Sequence, residues 1–527
     1  EYRCKGIEIK PLKILHLEEK MYRKPDPQLT IDDFILPFSG KLSAENRWVK
    51  LAKLIPWDEF EKDYAFMFPS DRGNVAKPVR MALGSLIIQT RCGYTDRELV
   101  QQITENPYLQ YFIGLKEYQL TPVFTPVALV KFRKRFKKDR LAKINERIIE
   151  AFASAQAADA TEDAESKKDD DDHDDHTDHQ GYSGNTEAAK ETTDEQPKET
   201  QPNQGILILD ATCVPADIKY PTDLGLLNEA REKLEEIIDT LHRANGKQGK
   251  KPRTYRQTAR KVYLSVAKQR NPRRIQLRQG IKRQLQYCKR NLRHVDQMLT
   301  NVPAGMDALS QRQKRLLNTI RILIEQQDKM YKAQNHRIED RIVSLYQPHV
   351  RPIVRGKVSA AVEFGAKVAI SIEKGMTRIE KLSWDAFNEA GTLIESVNRY
   401  KDRHGYYPEA LLADQIYRNR ENLAFCKANN IRLSGPRLGR PAANVQLQKT
   451  EKALERLDAR MRNAVEGKFG EGKRKYHLNR ILAKLKDTAE SMIAMHILVM
   501  NLEHQLRVLF VRFLQMLFGR SNIVNLA

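Results

Sequence analysis

The chain has 527 residues, which is enough for about three or four domains at roughly 150 residues each. It carries 91 Lys and Arg against 68 Asp and Glu, a net charge of +23 at pH 7, and this favours a polyanionic partner such as nucleic acid. A membrane span is excluded, because the most apolar run, Met492 to Phe518, is interrupted by charged residues such as Glu503 and Arg507, whereas a spanning helix needs about 20 mostly apolar residues.

The cysteine pattern and the N-terminal sequence bear on the cellular compartment of the protein. Five cysteines are spread along the sequence without any C-x-x-C pair, which favours a reducing cytosol and predicts neither a disulfide framework nor a structural zinc. No secretory signal is recognisable, although the sequence begins at Glu1 rather than Met, so that an initial segment could precede it. We therefore expect a cytoplasmic protein.

After an N-terminal segment, 1–44, residues 45–153 are predicted to form an all-α domain. Apolar residues recur at helical spacing from Pro78 to Arg91, and Gly93 is placed to end that helix. Thr95 and Glu98 have the spacing of a capping box that begins the next helix.

Thr125-Pro126 is predicted to begin a long helix that is apolar on one side and basic on the other. Short helices followed by a basic one suit a DNA-binding domain of the helix-turn-helix type. The alternative is a helical domain with a solvated charged face. The candidate DNA contacts on this helix are Arg133, Lys134, Arg135 and Lys137.

Residues 154–204 are predicted to be a disordered acidic linker. Between Asp159 and Glu199 there are 16 acidic residues against four lysines, with few large apolar side chains. Such a segment cannot bury enough surface to offset the loss of chain entropy. Histidines among the aspartates could bind a metal ion loosely, but a solvated acidic tether is the preferred interpretation.

Downstream of the linker the pattern predicts an α/β core, 205–223 and 352–490, followed by a C-terminal helix, 491–527. Gly205 to Asp210 is a short continuous apolar run, as expected of a buried central strand. Further strand signals, separated mostly by helical patterns, lie at 366–373, 376–382, 410–414 and 431–434. This order predicts a five-stranded sheet split after its first strand.

The interruption is a predicted helical insertion, 224–351, that contains a strongly basic stretch. From Arg243 to His294 there are 18 Lys and Arg and no Asp or Glu. A surface this one-sided repels itself unless a polyanion neutralises it, so we predict contacts to phosphates, with Arg273 and Arg274 as candidates. The alternative is an ordinary solvated face.

Two predicted strands end in a carboxylate, at Asp210 and Asp414. Ligands of open α/β sheets gather at the carboxyl ends of strands, and two neighbouring carboxylates need a cation between them. Hard oxygen ligands suit Mg²⁺ or Mn²⁺. The alternative for each aspartate is a cap on the following turn.

A third acid lies on a helix predicted over Ala459 to Leu485. At 100° per residue, Glu466 and Lys473 fall within about 40° of Arg462, so the three side chains share one face. Such a carboxylate between two cations could complete a metal site while the cations bind phosphates. The alternative is a surface ion-pair ladder. Three nearby glycines weaken the helix and could let a nucleic-acid backbone approach.

The order of these motifs resembles that of the DDE transposases of bacterial insertion sequences. The matches are Leu209-Asp210-Ala211-Thr212, Leu412-Ala413-Asp414 and Val465-Glu466-Gly467, together with the Arg-x3-Glu-x6-Lys spacing from Arg462 to Lys473. The chain departs from the family signature at Ala459, where a tyrosine is usual. Pro436 to Arg440 and the helical N-terminal domain are similar to other parts of such transposases.

The resemblance implies an RNase H-like mixed five-stranded sheet, interrupted by the long helical insertion and preceded by the all-α domain. It implies DNA strand cleavage and strand transfer with two Mg²⁺ (or Mn²⁺) ions held by Asp210, Asp414 and Glu466. The phosphate contacts that it implies are Arg462, Lys473, Arg437 and Arg440.

The implied partners are double-stranded DNA at the element ends and at the target, without a membrane. A dimer or higher assembly on DNA is expected, in the bacterial cytoplasm and associated with the nucleoid. Three alternatives stay open: a non-enzymatic DNA-binding protein, a nuclease that cuts without joining, and an inactive transposase copy.

Overall fold

The computed structural model describes residues 30–37, 40–68, 75–165, 202–301, 305–354, 362–436 and 445–518. These residues form two compact units, one from residues up to 165 together with residues from 501 onward, and one from 202 to 500. Within the described ranges, no helix combines the length and the apolar composition that crossing a bilayer requires.

The N-terminal part of the first unit is helical, as predicted. Its helices are α1 (Arg47–Leu54), α2 (Trp57–Ala65), α3 (Val79–Cys92), α4 (Asp96–Glu105), α5 (Pro107–Phe112), α6 (Pro126–Arg135) and α7 (Lys138–Glu165). Gly93 ends α3 in the left-handed conformation, with φ of 74°. The capping box is also confirmed, since Thr95 accepts from the backbone of Glu98 and the Glu98 side chain accepts from the backbone of Thr95.

Two predictions for this unit are wrong. The basic helix is not continuous, because the chain leaves helical geometry at Phe136, with φ of −94° and ψ of 75°, so that α6 and α7 are separate helices. Phe136 is fully buried at this break and stacks on Tyr64. Helix α7 also extends to Glu165, into the segment predicted as linker, while residues 166–201 lie outside the described ranges.

The second unit contains one mixed six-stranded sheet. Its strands are β1 (Ile206–Pro215), β2 (Arg351–Val354), β3 (Val362–Glu373), β4 (Met376–Ser383), β5 (Ala410–Leu412) and β6 (Arg432–Leu433). The order is β2-β3-β1-β5-β6, with β4 also paired to β3. β1 is antiparallel to β3 and parallel to β5, and β5 is parallel to β6. The five predicted strands are thus present, and β2 is an additional sixth.

The predicted insertion between β1 and the following strands is helical. It consists of α8 (Asp223–Ala244), α9 (Arg256–Ala267), α10 (Arg274–Asn301) and α11 (Gln311–Ala333). Their apolar faces form a core of their own, with buried residues such as Leu227, Leu234, Cys288 and Ile320. The sequence predicted the helical character of this stretch but not its separate core.

The two ends of the insertion are joined at its base. Gln347 donates a hydrogen bond from Nε2 to the backbone oxygen of Asp217, at 2.8 Å. Arg341 donates to the carboxylate of Asp223 at 2.7 Å, at the start of α8. The chain therefore leaves the sheet and returns to it at neighbouring positions.

Four helices complete the described chain: α12 (Leu393–His404), α13 (Arg420–Ala428), α14 (Val445–Lys475) and α15 (Lys486–Phe518). The helix predicted over 459–485 thus begins earlier and ends at Lys475, and His477 beyond it has φ of 59°. Three glycines do not interrupt α14. Gly472 is buried, where a Cβ would lie 2.7 Å from Leu478 Cδ1, so close packing explains this glycine, whereas Gly467 faces open space.

His496 on α15 gives the second unit a pH-dependent stability. Burial lowers the pKa of this imidazole to about 4, and the ring bonds to the backbone oxygen of Met492. The unfolded chain takes up the proton near pH 6.5 while the folded chain stays neutral, so stability is lost as the pH falls from about 6.5 toward 4.

Replacing His496→Gln should remove this loss. Between pH 7 and pH 4.5, we expect the wild type to lose about 3 kcal/mol more than the variant in urea unfolding followed by circular dichroism. Parallel pH profiles of the two proteins would contradict this assignment.

Candidate active site

Asp210 and Asp414 come from neighbouring parallel strands and occupy matching positions. The last register pair of these strands is Ile208 with Leu412. Each aspartate lies two residues beyond its member of that pair, so the two aspartates occupy corresponding positions of neighbouring chain segments. Asp210 was predicted at the end of its strand. It lies instead within β1, which continues to Pro215 along β3 after its pairing with β5 has ended.

The pKa of Asp210 reflects the presence of other carboxylates close to it. Burial, together with the charges of Glu389 and Asp414, raises the pKa of Asp210 to about 6. A hydrogen bond from the backbone N–H of Ala211, at 2.7 Å, and the charge of Arg462 act in the opposite direction. A half-buried carboxylate held among other carboxylates is a site that favours a cation.

Helix α14 lies against this edge of the sheet. Val465 is fully buried, and Asp458, which is 4% exposed, bonds to Arg432 of β6. On the same face, Arg462 donates from Nη1 to Oδ1 of Asp414 at 2.9 Å. The helix therefore carries Arg462 directly to one of the two aspartates.

Glu466 lies one turn beyond Arg462 and is exposed to solvent. Its neighbour Val465 is fully buried. In the part of the chain that the structure describes, no three His, Cys, Asp or Glu side chains are grouped in a way that would hold a metal ion. Asp210 and Asp414 are thus brought together, and Glu466 is on the adjoining helix without completing a three-residue group.

Lys473 lies on the same helix and is half-buried. Arg437 and Arg440, the other predicted phosphate contacts of the core, lie outside the described residues. Arg462 contacts a candidate catalytic carboxylate, Asp414, through an ion pair.

Glu389 was not identified from the sequence, although it lies close enough to raise the pKa of Asp210. It belongs to a 3-10 turn, Glu389–Thr392, that is tied to the turn following Asp414. The Asn422 side-chain amide donates to the backbone oxygens of both Ala390 and Tyr417. The Glu389 carboxylate pairs with Lys367 of β3 at 2.9 Å. No strand end or spacing marks this residue, so the sequence contains no signal for it.

The basic residues predicted on the N-terminal helix have two different environments. Arg133 pairs with Asp96 at 2.5 Å, and Arg135 donates to the Tyr64 hydroxyl at 2.9 Å. These two arginines therefore hold α6 within its own unit. Lys134 and Lys137 are exposed.

In the insertion, Arg273 and Arg274 are both exposed at the start of α10. Neither side chain has an ion pair or hydrogen bond among the described residues. These two predicted contacts are thus accessible to a ligand.

Two segments of the chain match models of transposase domains. Residues 37–135 match a transposase domain (DUF772), and residues 411–503 match a transposase DDE domain. The second match contains Asp414, Arg462 and Glu466, and it begins after Asp210. These matches confirm the resemblance to the DDE transposases of insertion sequences.

One curated relative is an uncharacterised protein, ORF8 in the nfe locus of Rhizobium meliloti. It is 27% identical over 103 residues, which are 20% of this chain and 49% of that protein. The chain thus spans about half the length of the curated relative that it matches. No solved structure matches the chain significantly.

Proposed function

We propose that this protein is a DNA transposase that cleaves DNA at the ends of an insertion sequence and joins the freed strand to target DNA. The observation that carries the proposal is the meeting of Asp210 and Asp414 at matching positions of two parallel strands. Arg462 bonds to Asp414 from a helix that belongs to the matched DDE domain segment. This combination supports phosphoryl transfer more than binding alone, since binding needs no coupled carboxylates.

The sheet supports an RNase H-like core. The proposal requires a mixed sheet with two features, and both are present here. The first strand is followed by a helical insertion, and the next parallel strand leads to the second aspartate. We propose that residues 205–223 and 352–490 form this core.

The donor atoms fit a hard divalent cation in kind, because Asp210, Asp414 and Glu466 offer carboxylate oxygens. The raised pKa of Asp210 is an independent sign of fit, since a cation would relieve the repulsion from Asp414 and Glu389. We propose that Asp210 and Asp414 hold Mg²⁺ or Mn²⁺, with Glu466 as the third ligand. Bound divalent ions would activate the attacking oxygen and stabilise the leaving one.

Arg462 and Lys473 have the positioning role in this proposal. Arg462 now satisfies Asp414, and it would turn to a DNA phosphate once a cation replaced it as the partner of that carboxylate. Lys473 lies 11 residues further along the same helix and within about 20° of Arg462 around the axis, so both cations follow one stripe.

A plasmid cleavage assay tests this function. The substrate is a supercoiled plasmid with the coding region and its flanking DNA, incubated with the full chain and Mg²⁺ or Mn²⁺. We expect Asp414→Asn to lower the cleavage rate by about 10³-fold, because a lost metal ligand removes several kcal/mol of transition-state stabilisation. Affinity for the same DNA should change by less than about twofold.

Asp402→Asn is the matched control, because it removes an exposed carboxylate of α12 in the same unit. It should cleave like the wild type. If the wild type binds DNA but never cleaves it, the chain is a DNA-binding protein or an inactive copy. Cleavage without joining of pre-cut ends to a target would make it a nuclease.

The partners follow from the proposed reaction. Two DNA ends and a target must be brought together, so we propose that the protein acts on double-stranded DNA as a dimer or larger assembly in the bacterial cytoplasm, associated with the nucleoid. The excess of Lys and Arg supports a DNA partner.

A further inference from the structure

Several buried or half-buried acidic residues of the insertion are paired with cations. Glu235 is buried between Arg231 and Arg256. Asp239 pairs with Lys251 at 2.5 Å and with Arg256 at 2.7 Å. Asp328 and Asp296 likewise bind cations of the neighbouring helices α10 and α11, at Lys289 and Arg321. These contacts link the helices of the insertion and neutralise these carboxylates.

A second set of cations in α9, α10 and their connection is exposed, without an ion pair or side-chain hydrogen bond among the described residues. We call this set the basic hairpin. It consists of Arg260, Lys261, Lys268, Arg270, Arg273, Arg274, Lys282, Arg283 and Arg293.

The basic hairpin is an extended surface rather than a point. On α10, Lys282 and Arg293 lie within about 20° of each other around the helix axis, and Arg283 lies about 100° from Lys282. The opposite side of the helix, with Leu285 and Cys288, is buried in the core of the insertion. From Arg274 to Arg293 the helix rises about 28 Å, which equals about eight base pairs of duplex.

We propose that the basic hairpin binds the phosphate backbone of duplex DNA without regard to sequence. This inference rests on the proposed function for its DNA partner and assigns the contact to a surface outside the candidate active site. Cations that repel one another are stabilised by a dense polyanion, and duplex DNA carries one charge per about 1.7 Å of its axis. An anionic membrane fits less well, because Ile275 is the one large apolar side chain exposed along α9, α10 and their connection, apart from Tyr255 at the start of α9.

The test compares two triple variants of the full chain. Lys282→Gln/Arg283→Gln/Arg293→Gln removes three charges from the basic hairpin. Arg321→Gln/Lys329→Gln/Lys332→Gln removes three charges from α11 of the same insertion, where each cation has an acidic partner. The control therefore matches the change in net charge but spares the proposed surface.

Binding is measured without divalent metal, using a fluorescent 30-base-pair duplex of arbitrary sequence and KCl from 50 to 300 mM. We expect the slope of log affinity against log salt to become shallower by about 2 to 3 for the hairpin variant, and affinity at 100 mM to fall by about 10²-fold or more. The control should change the slope by less than about 1. A second duplex of unrelated sequence should give the same differences.

Equal slopes for the wild type and the hairpin variant, or equal effects of the two variants, would overturn the inference. So would loss of binding to vesicles containing phosphatidylserine with unchanged duplex binding, which would assign the surface to a membrane. If the acidic segment of this chain occupied the basic hairpin, removing the hairpin charges would leave duplex affinity unchanged. That result would also overturn the inference. Failure of the wild type to bind any duplex would instead reject the proposed function itself.

Discussion

Replacing Asp210→Asn should abolish DNA cleavage and at the same time make the metal-free protein more stable. The carboxylate is half-buried, and its pKa is raised to about 6 by burial and by the charges of Glu389 and Asp414. The folded chain therefore binds this proton more tightly than the unfolded chain does. Stability falls as the pH rises from about 4 to 6, and the cost is complete above that range.

At pH 8 with EDTA, the neutral amide should raise the free energy of unfolding by about 1–3 kcal/mol, measured by urea denaturation. The gain should vanish near pH 4, where the aspartate is protonated in both states. In the plasmid assay with Mg²⁺, the same variant should be slower by about 10³-fold.

The free energy of unfolding and the cleavage rate together distinguish a catalytic role of Asp210 from a structural one. If Asp210 had only a structural role, its replacement would lower the stability of the protein. Cleavage would then fall in proportion to the amount of folded protein. Asp402→Asn is again the control, because its exposed carboxylate should affect neither quantity. Wild-type cleavage by Asp210→Asn would reject the catalytic assignment.

Replacing Arg231→Met should destabilise the helical insertion by about 3–5 kcal/mol. Arg231 is 1% exposed, and its guanidinium donates to Glu235 at 2.5 Å and to Asn228 at 2.8 Å. Without Arg231, the carboxylate of Glu235 remains buried with only the longer contact to Arg256, at 3.5 Å. Urea unfolding followed by circular dichroism measures the loss.

Removing both charges should restore most of that stability. In the double variant Arg231→Met/Glu235→Leu, no unpaired charge is left in the core, so we expect recovery to within about 1–2 kcal/mol of the wild type. Lys233→Met, which removes the lysine of the more exposed pair with Glu236, should cost less than about 1 kcal/mol. A double variant no more stable than Arg231→Met would show that packing, rather than the orphaned charge, is responsible.

Local signals in the sequence predicted the secondary structure well wherever a residue type has a consistent effect on the backbone, such as starting or ending a helix. Gly93 ended α3 because it adopts a left-handed conformation, and Thr95 with Glu98 began α4 as a capping box. Continuous apolar runs identified β1 and β5. Phe136 shows the limit, since its apolar side chain fits the periodicity of one long helix, while the chain leaves helical geometry at this residue.

The candidate site was predicted in part. Asp210 and Asp414 could be paired from sequence because parallel strands bring corresponding positions together. The ion pair between Asp414 and Arg462 could not, because it depends on how α14 lies on the sheet, which no local pattern encodes. Glu389 was missed for the same reason, as its turn reaches Asp210 only through tertiary packing.

Because its two ends are hydrogen-bonded to each other, the insertion is structurally separate from the sheet. Because Gln347 holds Asp217 and Arg341 holds Asp223, more than a hundred intervening residues act on the sheet as one short connector. The entropy of closing β1 onto β3 is then set by that connector rather than by the full length of chain between them. Such an arrangement lets the helical part change in size, charge or partner while the strands that carry the two aspartates keep their register.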